Sequence, residues 1–253
     1  MCYDDNARPP MPPGANGTAH GEDLVLTATD GNRFAAYLAR PDQPTNAQII
    51  IYPDVRGLHQ FYKDLALRFA EAGITAIAFD YFGRTAGLTS RDEPFEFMPH
   101  VQKLQLPTIF SDVAAALAYL QTNGGQGRST FTVGFCMGGS LSFMTGTAEF
   151  DLAGVIGFYA GMSRNFGGAG TLLDQAAKIH YPALGLFGGA DQGIPPSDVQ
   201  SFDEKLTSAG VEHEIIVYPG APHSFFDRRA DQYAEASTDA WKRVLDFIKA
   251  HTH

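Results

Sequence analysis

The sequence predicts a single α/β domain in which a mostly parallel sheet is covered by helices on both faces. Short apolar segments at 48–53 (QIIIYP) and 129–135 (STFTVGF) have the composition of buried strands. The segment 107–122 instead shows the spacing of an amphipathic helix, with apolar residues at Val113, Ala116, Leu117 and Leu120. Alternation of these two patterns along the chain is typical of strands joined by crossover helices.

The other predicted elements continue this alternation. Two alternating segments meet at Asp30-Gly31 and predict a hairpin. A helix over 61–73 stops at Gly73 and is followed by a strand over 74–83. Further strands are predicted over 153–159, 183–189 and 212–219, and further helices from Met137 or Gly138, over 197–209, and around Trp241, Val244, Leu245 and Ile248.

Two regions lie outside this regular pattern. Residues 1–20 are rich in proline and glycine and predict a tail or an extended strap, which leaves 21–253 as the folded domain. The segment 84–106 contains Pro94 and Pro99 and lacks clear periodicity. It is interpreted either as a cover near the strand ends or as an ordinary surface excursion.

Composition excludes several classes of function. The chain has 253 residues, 44% of them hydrophobic, and its 28 acidic against 18 basic residues give a net charge of −10. This charge and the absence of a basic cluster argue against nucleic-acid binding. The start of the chain lacks the features of a secretory signal, and no apolar segment is long enough for a membrane span.

The two cysteines differ in their surroundings. Cys2 lies in the polar tail, whereas Cys136 lies in a patterned part of the chain. A reducing compartment disfavours a disulfide between them, and the predicted location is the cytoplasm.

Cys136 occupies the centre of a Gly-x-Cys-x-Gly turn, VGFCMGG at 133–139. A lone cysteine is often only a small buried hydrophobe. A strand that turns sharply into a helix, however, needs glycines two residues before and after a nucleophile, and Gly134 and Gly138 meet that need. The turn would expose the thiol at a helix N-terminus, with the N–H groups of Met137 and Val55 as candidate oxyanion donors.

Two residues further along the chain complete a possible catalytic set. Asp191 and His223 each follow a predicted strand, and the order nucleophile, acid, histidine is that of the α/β-hydrolase fold. Taken alone, Asp191 could cap a helix and His223 could be an ordinary loop histidine. The ordered set at three strand ends favours Cys136 as nucleophile, His223 as base and Asp191 as the group that orients the imidazole.

The chain resembles the dienelactone hydrolase family of α/β-hydrolases from about residue 20 to 250. The resemblance rests on the segments YPDVRG, FDYFGR, VGFCMGG, GGADQGIPP and PHSFFDR. It implies a Cys136–Asp191–His223 triad that works without a metal or an organic cofactor. It also implies hydrolysis of an enol-lactone that bears a carboxylate, by way of a thioester acyl-enzyme.

The resemblance extends to residues around the substrate. Asp54 stands where the best-known members carry a glutamate that contacts the resting thiol. Arg84 matches an arginine that holds the substrate carboxylate. A second arginine is expected after the HSF segment, where Asp227 stands with Arg228 beside it. Arg56 adds a local positive charge and is equally well interpreted as a solvated loop residue.

Other functions remain open at this point. A broad-specificity carboxylesterase would use the same three residues. A thiol redox sensor would use Cys136 alone, although no second cysteine lies in the patterned core to resolve a sulfenate. A non-catalytic binding module would need none of the three residues. The predicted partner is a small ester or lactone, and the predicted state is a monomer or homodimer.

Overall fold

A computed structural model describes residues 6–92 and 94–253 and confirms the predicted α/β fold. Over these residues one eight-stranded sheet forms the centre of the molecule. Its strands are β1 (Ala19–Thr27), β2 (Arg33–Pro41), β3 (Ala47–Tyr52), β4 (Thr75–Phe79), β5 (Ser129–Phe135), β6 (Gly154–Phe158), β7 (Ala183–Gly188) and β8 (His213–Tyr218).

The sheet has the order β1-β2-β4-β3-β5-β6-β7-β8. The pairs β1 with β2 and β2 with β4 are antiparallel, and the strands from β4 to β8 in this order are mutually parallel. The predicted hairpin is therefore the antiparallel edge of a parallel sheet. Because parallel strands end at the same edge, the loops that follow β3, β5, β6, β7 and β8 converge there.

In the described part of the chain, five longer helices lie where the sequence predicts them, and three short ones, at Gly83–Ala86, Met98–Val101 and Leu172–Gln175, were not predicted. In chain order the helices are α1 (Gln60–Glu71), α2 (Gly83–Ala86), α3 (Met98–Val101), α4 (Leu106–Leu120), α5 (Met137–Thr145), α6 (Leu172–Gln175), α7 (Pro196–Ser208) and α8 (Ala234–Ala250). All six residues of β3 and all nine of α5 are buried. The centre of the core therefore lies directly beneath the turn that carries Cys136.

The strand predicted over 74–83 is shorter in the structure, where β4 ends at Phe79. Asp80 explains the early end, because its carboxylate accepts backbone N–H bonds from Leu58 at 3.1 Å and from Phe82 at 3.0 Å. A carboxylate that caps two loops in this way turns the chain out of the sheet. Sequence periodicity does not reveal such a bond.

The irregular segment 84–106 packs onto the end of the sheet through one buried arginine. Arg91 is 2% exposed, and its Nη2 donates to Asp80 Oδ2 at 2.9 Å. The same guanidinium lies 4.6 Å from the centroid of the Phe95 ring. This anchoring supports the interpretation of the segment as a cover, since a plain surface excursion would not bury a paired charge.

The proline-rich tail follows the surface of the domain over its described part. Trp241 Nε1 donates to the carbonyl of Pro10 at 2.9 Å, and Gly17 N–H donates to the carbonyl of Glu71 at 3.2 Å. The first strand begins at Ala19, and the predicted division between tail and domain stays a prediction. Cys2 lies outside the described residues, so the predicted lack of a disulfide also stays a prediction.

Membrane-spanning helices were sought in the part of the chain that the structure describes. No helix in that part has both the length and the apolar character that a bilayer crossing requires.

Candidate active site

Cys136 sits at the sharp turn between β5 and α5. Its backbone angles are φ 57° and ψ −118°, a conformation that residues with a β-carbon rarely adopt. Its N–H donates to the carbonyl of Phe158 at 3.1 Å, which ties the turn to the end of the neighbouring strand β6. Such a strained turn lifts a side chain out of the sheet, and the Cys136 side chain is only partly buried.

The glycines around Cys136 are required by close packing of the backbone. A β-carbon at Gly134 would lie 1.9 Å from the carbonyl oxygen of Gly138. A β-carbon at Gly139 would lie 2.8 Å from the carbonyl oxygen of Phe158. Both distances are below any contact that a real β-carbon makes, so the predicted reason for a glycine is confirmed at Gly134, and the structure adds Gly139 as a further position that needs one.

The predicted oxyanion donors lie at the two sides of this turn. Met137 is the first residue of α5 and is buried, so its N–H belongs to the unpaired end of a helix. Val55 lies in the turn after β3, where Arg56 N–H donates to Asp54 Oδ1 at 2.9 Å. The role of the two N–H groups stays a prediction.

His223 and Asp191 are brought together by the loops after β8 and β7. The Nδ1 atom of His223 donates to Asp191 Oδ2 at 2.6 Å. The Asp191 side chain is 1% exposed and the His223 side chain is 25% exposed. The second Asp191 oxygen accepts the N–H of Gly193 at 2.8 Å, which fixes the carboxylate in place. This arrangement holds one imidazole tautomer, with Nε2 left as the proton acceptor.

A buried polar cluster follows β3. Asp54 and Arg56 are 1% and 0% exposed, and His59 is 3% exposed. The Nε2 atom of His59 lies 3.5 Å from Asp54 Oδ2, so a charged histidine would pair with this carboxylate. Arg56 is therefore not the solvated loop residue of the alternative interpretation, because its side chain is fully buried.

Two buried tyrosines, Tyr81 and Tyr62, lie beside this cluster. Burial raises the pKa of Tyr81 well above its usual range, and negative charge at Asp54 and Asp80 adds to the effect. Burial likewise raises the pKa of Tyr62, with further contributions from Asp54 and Asp227. These shifts keep both phenols neutral at physiological pH, so they act as dipoles and not as charges.

Arg84 is engaged by two carboxylates. Its Nη1 donates to Asp30 Oδ2 at 2.5 Å and its Nη2 to Asp112 Oδ1 at 2.7 Å. A further bond from Nη2 reaches the carbonyl of Thr108 at 3.3 Å. The predicted role of Arg84 as a carboxylate anchor therefore stays a prediction, and the structure adds a link between the hairpin and α4.

The loop after His223 carries Asp227 in a buried position. Its Oδ2 accepts a hydrogen bond from the Tyr159 hydroxyl at 2.8 Å, and its Oδ1 accepts the backbone N–H of Arg228. Arg228 itself is half-buried, and its predicted contact with substrate stays a prediction.

Sequence reasoning missed His59 and Tyr159. Tyr159 follows β6 directly, with φ 36°, and its ring centroid lies 4.8 Å from that of His223. Its position as the last residue of the strand predicted over 153–159 was an available signal. His59 offered a weaker signal, since it lies on a predicted loop five residues after Asp54 and its burial has no mark in the sequence.

Metal sites were sought among the described residues. Within them, no group of three or more histidine, cysteine, aspartate or glutamate side chains is arranged to hold a metal ion.

The fold and the strained turn define the class of protein. A mostly parallel sheet, a strained turn flanked by glycines after β5, and an acid and a histidine on later strand ends are the features of an α/β-hydrolase. The sequence model of the dienelactone hydrolase family matches residues 34–252. The chain therefore belongs to the dienelactone hydrolase family, and it is an ester or lactone hydrolase of the carboxymethylenebutenolidase-like type.

Individual relatives agree with this assignment. A protein from Synechocystis sp., provisionally named carboxymethylenebutenolidase, is 32% identical over 240 residues, which cover 89% of this chain and 95% of the relative. A protein of the same provisional name from Yersinia pestis is 29% identical over 233 residues, covering 88% and 86%. A crystal structure from Klebsiella pneumoniae, provisionally named dienelactone hydrolase, is 25% identical, covers 92% of this chain and 99% of that one, and has a TM-score of 0.80.

Proposed function

We propose that the protein hydrolyses esters or lactones through a Cys136 thiolate that is activated by His223 and Asp191. The observation that carries the proposal is the strained Cys136 turn at the head of α5, in a chain that also pairs His223 with Asp191 at 2.6 Å. A thiol in this setting gains from the helix N-terminus, which stabilises negative charge.

The reaction would proceed in two halves. His223 Nε2 takes the thiol proton, and the sulfur attacks the carbonyl carbon, whose oxygen becomes an oxyanion held by the N–H groups of Met137 and Val55. The carbon–oxygen bond to the leaving alkoxide then breaks, and the imidazolium returns the proton to that oxygen. In a lactone the new hydroxyl stays attached to the acyl group.

Water completes the cycle. His223 takes a proton from water, and the resulting hydroxide equivalent attacks the thioester carbon. Breakdown of this second tetrahedral species breaks the carbon–sulfur bond and releases the carboxylic acid, and the imidazolium returns its proton to the sulfur to restore the thiol and the neutral His223. The cycle uses water together with side chains and backbone of this chain, and the absence of a cofactor stays a prediction.

The decisive experiment labels Cys136 in a Cys2→Ala background, where it is the sole cysteine. Stoichiometric iodoacetamide labelling should abolish hydrolysis of 4-nitrophenyl acetate and of a lactone panel. Cys136→Ala should lower kcat by roughly 1,000-fold or more, and Cys136→Ser should retain weak activity. Activity that survives full alkylation would contradict the proposal and leave the redox-sensor alternative.

Two classes of substrate are candidates, and they differ in whether the substrate carries a negative charge. The first is a lactone that bears a carboxylate, of the dienelactone type, with Arg84, Arg56 and Arg228 as the candidate cations and Asp54 as the candidate acid that contacts the resting thiol. The second is a neutral ester, which is favoured by the observation that Arg84 is already paired with Asp30 and Asp112.

The Arg84→Ala variant separates these classes. For a carboxylate anchor, KM rises about 10-fold or more for lactones that carry a carboxylate, whereas KM for neutral nitrophenyl esters stays within about twofold. The exposed pair of Arg40 with Glu22 provides a matched control in Arg40→Ala. Equal effects of Arg84→Ala on both substrate types would support the neutral-ester class.

We also propose a cytoplasmic protein that is monomeric or homodimeric. Light scattering at several protein concentrations distinguishes the two assembly states, and fractionation of the source cells tests the location.

A further inference from the structure

Tyr159 occupies a strained position at the end of β6. Its φ of 36° lies in the left-handed region, which Cys136 and Ser224 also visit near the candidate site. The Tyr159 N–H donates to the carbonyl of Leu186 in β7 at 2.7 Å, and this bond helps to hold the unusual backbone. Strain of this kind persists only where the surroundings determine the conformation, and it concentrates at functional sites.

The Tyr159 side chain reaches from β6 to the loop that carries His223. It is fully buried, and its hydroxyl donates to Asp227 Oδ2 at 2.8 Å. Asp227 is 5% exposed and lies on the same loop, four residues after His223. A hydrogen bond from a hydroxyl to a buried carboxylate is among the stronger kinds in proteins, so it restrains this loop.

The ring of Tyr159 also contacts the imidazole. The two ring centroids lie 4.8 Å apart with the planes inclined by 54°. On another side, the Tyr159 ring meets Phe225 edge-on at 5.6 Å. The preceding residue, Phe158, accepts the backbone N–H of Cys136 at 3.1 Å. One short segment therefore touches both the turn of Cys136 and the imidazole of His223.

We propose that Tyr159 and Asp227 are positioning residues, which together set the orientation of the His223 imidazole relative to Cys136. The Asp191 carboxylate holds one edge of the imidazole, and the Tyr159 ring, fixed by Asp227, limits rotation and translation of the ring. This inference rests on the proposed function, because the orientation matters only if His223 serves Cys136 as a base.

The experiment uses three substitutions, each of which changes one functional group. Tyr159→Phe deletes the hydroxyl and keeps the ring, Asp227→Ala deletes the acceptor, and Asp227→Asn keeps an oxygen that can accept. We expect Tyr159→Phe and Asp227→Ala to lower kcat by roughly 10-fold to 100-fold with little change in KM, since small displacements of a catalytic base have effects of this size. Asp227→Asn should restore most of the activity.

Coupling and a chemical readout distinguish positioning from simple destabilisation. The Tyr159→Phe and Asp227→Ala effects should not add in the double variant, because both break the same bond. The rate of Cys136 alkylation is measured against pH in the Cys2→Ala background. In the two single variants this rate should be lower, and the midpoint of its pH profile should move. This readout needs no turnover.

Tyr218 supplies a matched control. Its hydroxyl donates to Asp239 Oδ2 at 2.9 Å, and its ring also packs on Phe225, with centroids 5.0 Å apart. Tyr218→Phe removes a similar bond and should leave kcat and the alkylation profile unchanged. If Tyr159→Phe and Tyr218→Phe lose kcat equally, and these losses follow the decrease in thermal stability, the positioning role is overturned.

The inference and the proposed function fail in different ways. If Cys136→Ala abolishes hydrolysis and Tyr159→Phe behaves like the unsubstituted protein, the positioning role is overturned and the proposed function stands. If Cys136→Ala retains full hydrolysis, both are overturned.

Discussion

Gly138 packs directly against Pro53, so closely that a β-carbon on Gly138 would lie 2.1 Å from the Pro53 carbonyl oxygen. The contact joins the first turn of α5 to the loop after β3. These are the two segments from which the candidate oxyanion donors Met137 and Val55 come. The two segments can lie this close together only because Gly138 has no side chain.

Replacement of Gly138 by alanine should disturb both folding and activity. Since the obstructing atom belongs to the backbone, the chain must move, and we expect the free energy of unfolding to fall by roughly 1 to 3 kcal/mol. The turn that carries Cys136 and the loop after β3 would separate, so kcat should fall as well. Urea unfolding curves and initial rates on a neutral ester measure the two effects.

Gly161→Ala is the control for this substitution. A β-carbon at Gly161 meets its nearest neighbour, Ser140 Oγ, at 3.8 Å, which is an ordinary contact. Its stability and kcat should stay close to those of the unsubstituted protein. Comparable losses in the two variants would show that the Gly138 contact has no special importance.

Asp191→Asn tests the bond to His223. An amide at this position can offer either an acceptor or a donor to Nδ1, so the imidazole tautomer with the proton on Nδ1 is no longer enforced. We expect kcat to fall by roughly 100-fold to 10,000-fold with KM nearly constant. Steady-state kinetics with the lactone panel and with a neutral ester measure this change.

Asp231→Asn is the matched control, because it also removes a carboxylate charge, on an exposed position eight residues after His223. It should leave kcat within about twofold of the starting value. An Asp191→Asn variant as active as Asp231→Asn would exclude the orienting role of Asp191.

The main strands and helices could be predicted from the sequence because local patterns of residues determine them. Strands such as β3 and β5 are continuous apolar segments that are buried on both faces, and the glycines beside Cys136 mark a turn that only glycine permits. The order of Cys136, Asp191 and His223 could likewise be interpreted from the position of each residue after a strand.

Pairing between distant side chains could not be predicted in the same way. Asp80 holds Arg91 from eleven positions away, and Tyr159 holds Asp227 from sixty-eight positions away. Such pairs depend on which loops the sheet order brings together, and neither partner has a periodic signature. The same reason applies to Arg84. The sequence suggested that it holds the substrate carboxylate and did not reveal that Asp30 and Asp112 pair with it in the fold.

Arg84→Ala should destabilise the link between the hairpin and α4. Asp112 is 1% exposed at its side chain and would lose its cation, whereas Asp30 would simply be solvated. We expect the free energy of unfolding to fall by roughly 1 to 3 kcal/mol, the cost of removing a charged hydrogen-bond donor from a buried carboxylate, which keeps only the bond from Asn32.

Arg40→Ala provides the comparison, since its pair with Glu22 has both side chains more than a third exposed. Its effect on unfolding should stay below about 1 kcal/mol. Denaturant titrations of both variants at one pH measure the difference, and equal effects would mean that burial of Asp112 adds nothing to the pair.

Asp112 should make stability depend on pH in the mildly acidic range. Burial raises its pKa to about 6 from the usual 3.8, although the bonds from Asn32 and Arg84 oppose the rise. Between these two values the folded protein binds a proton at Asp112 that the unfolded chain does not. This difference makes the free energy of unfolding fall as pH rises from about 4 to about 6, after which the contribution is constant.

Asp112→Asn should remove this part of the pH dependence. Asp30→Asn is the control, because the hydrogen bond from Arg84 lowers the pKa of Asp30 and its stabilising contribution is already complete above about pH 4. Urea unfolding at intervals between about pH 4.5 and pH 7.5 should therefore give a flatter profile for Asp112→Asn than for the unsubstituted protein or Asp30→Asn. A profile for Asp112→Asn as steep as that of the unsubstituted protein would show that other groups cause the slope.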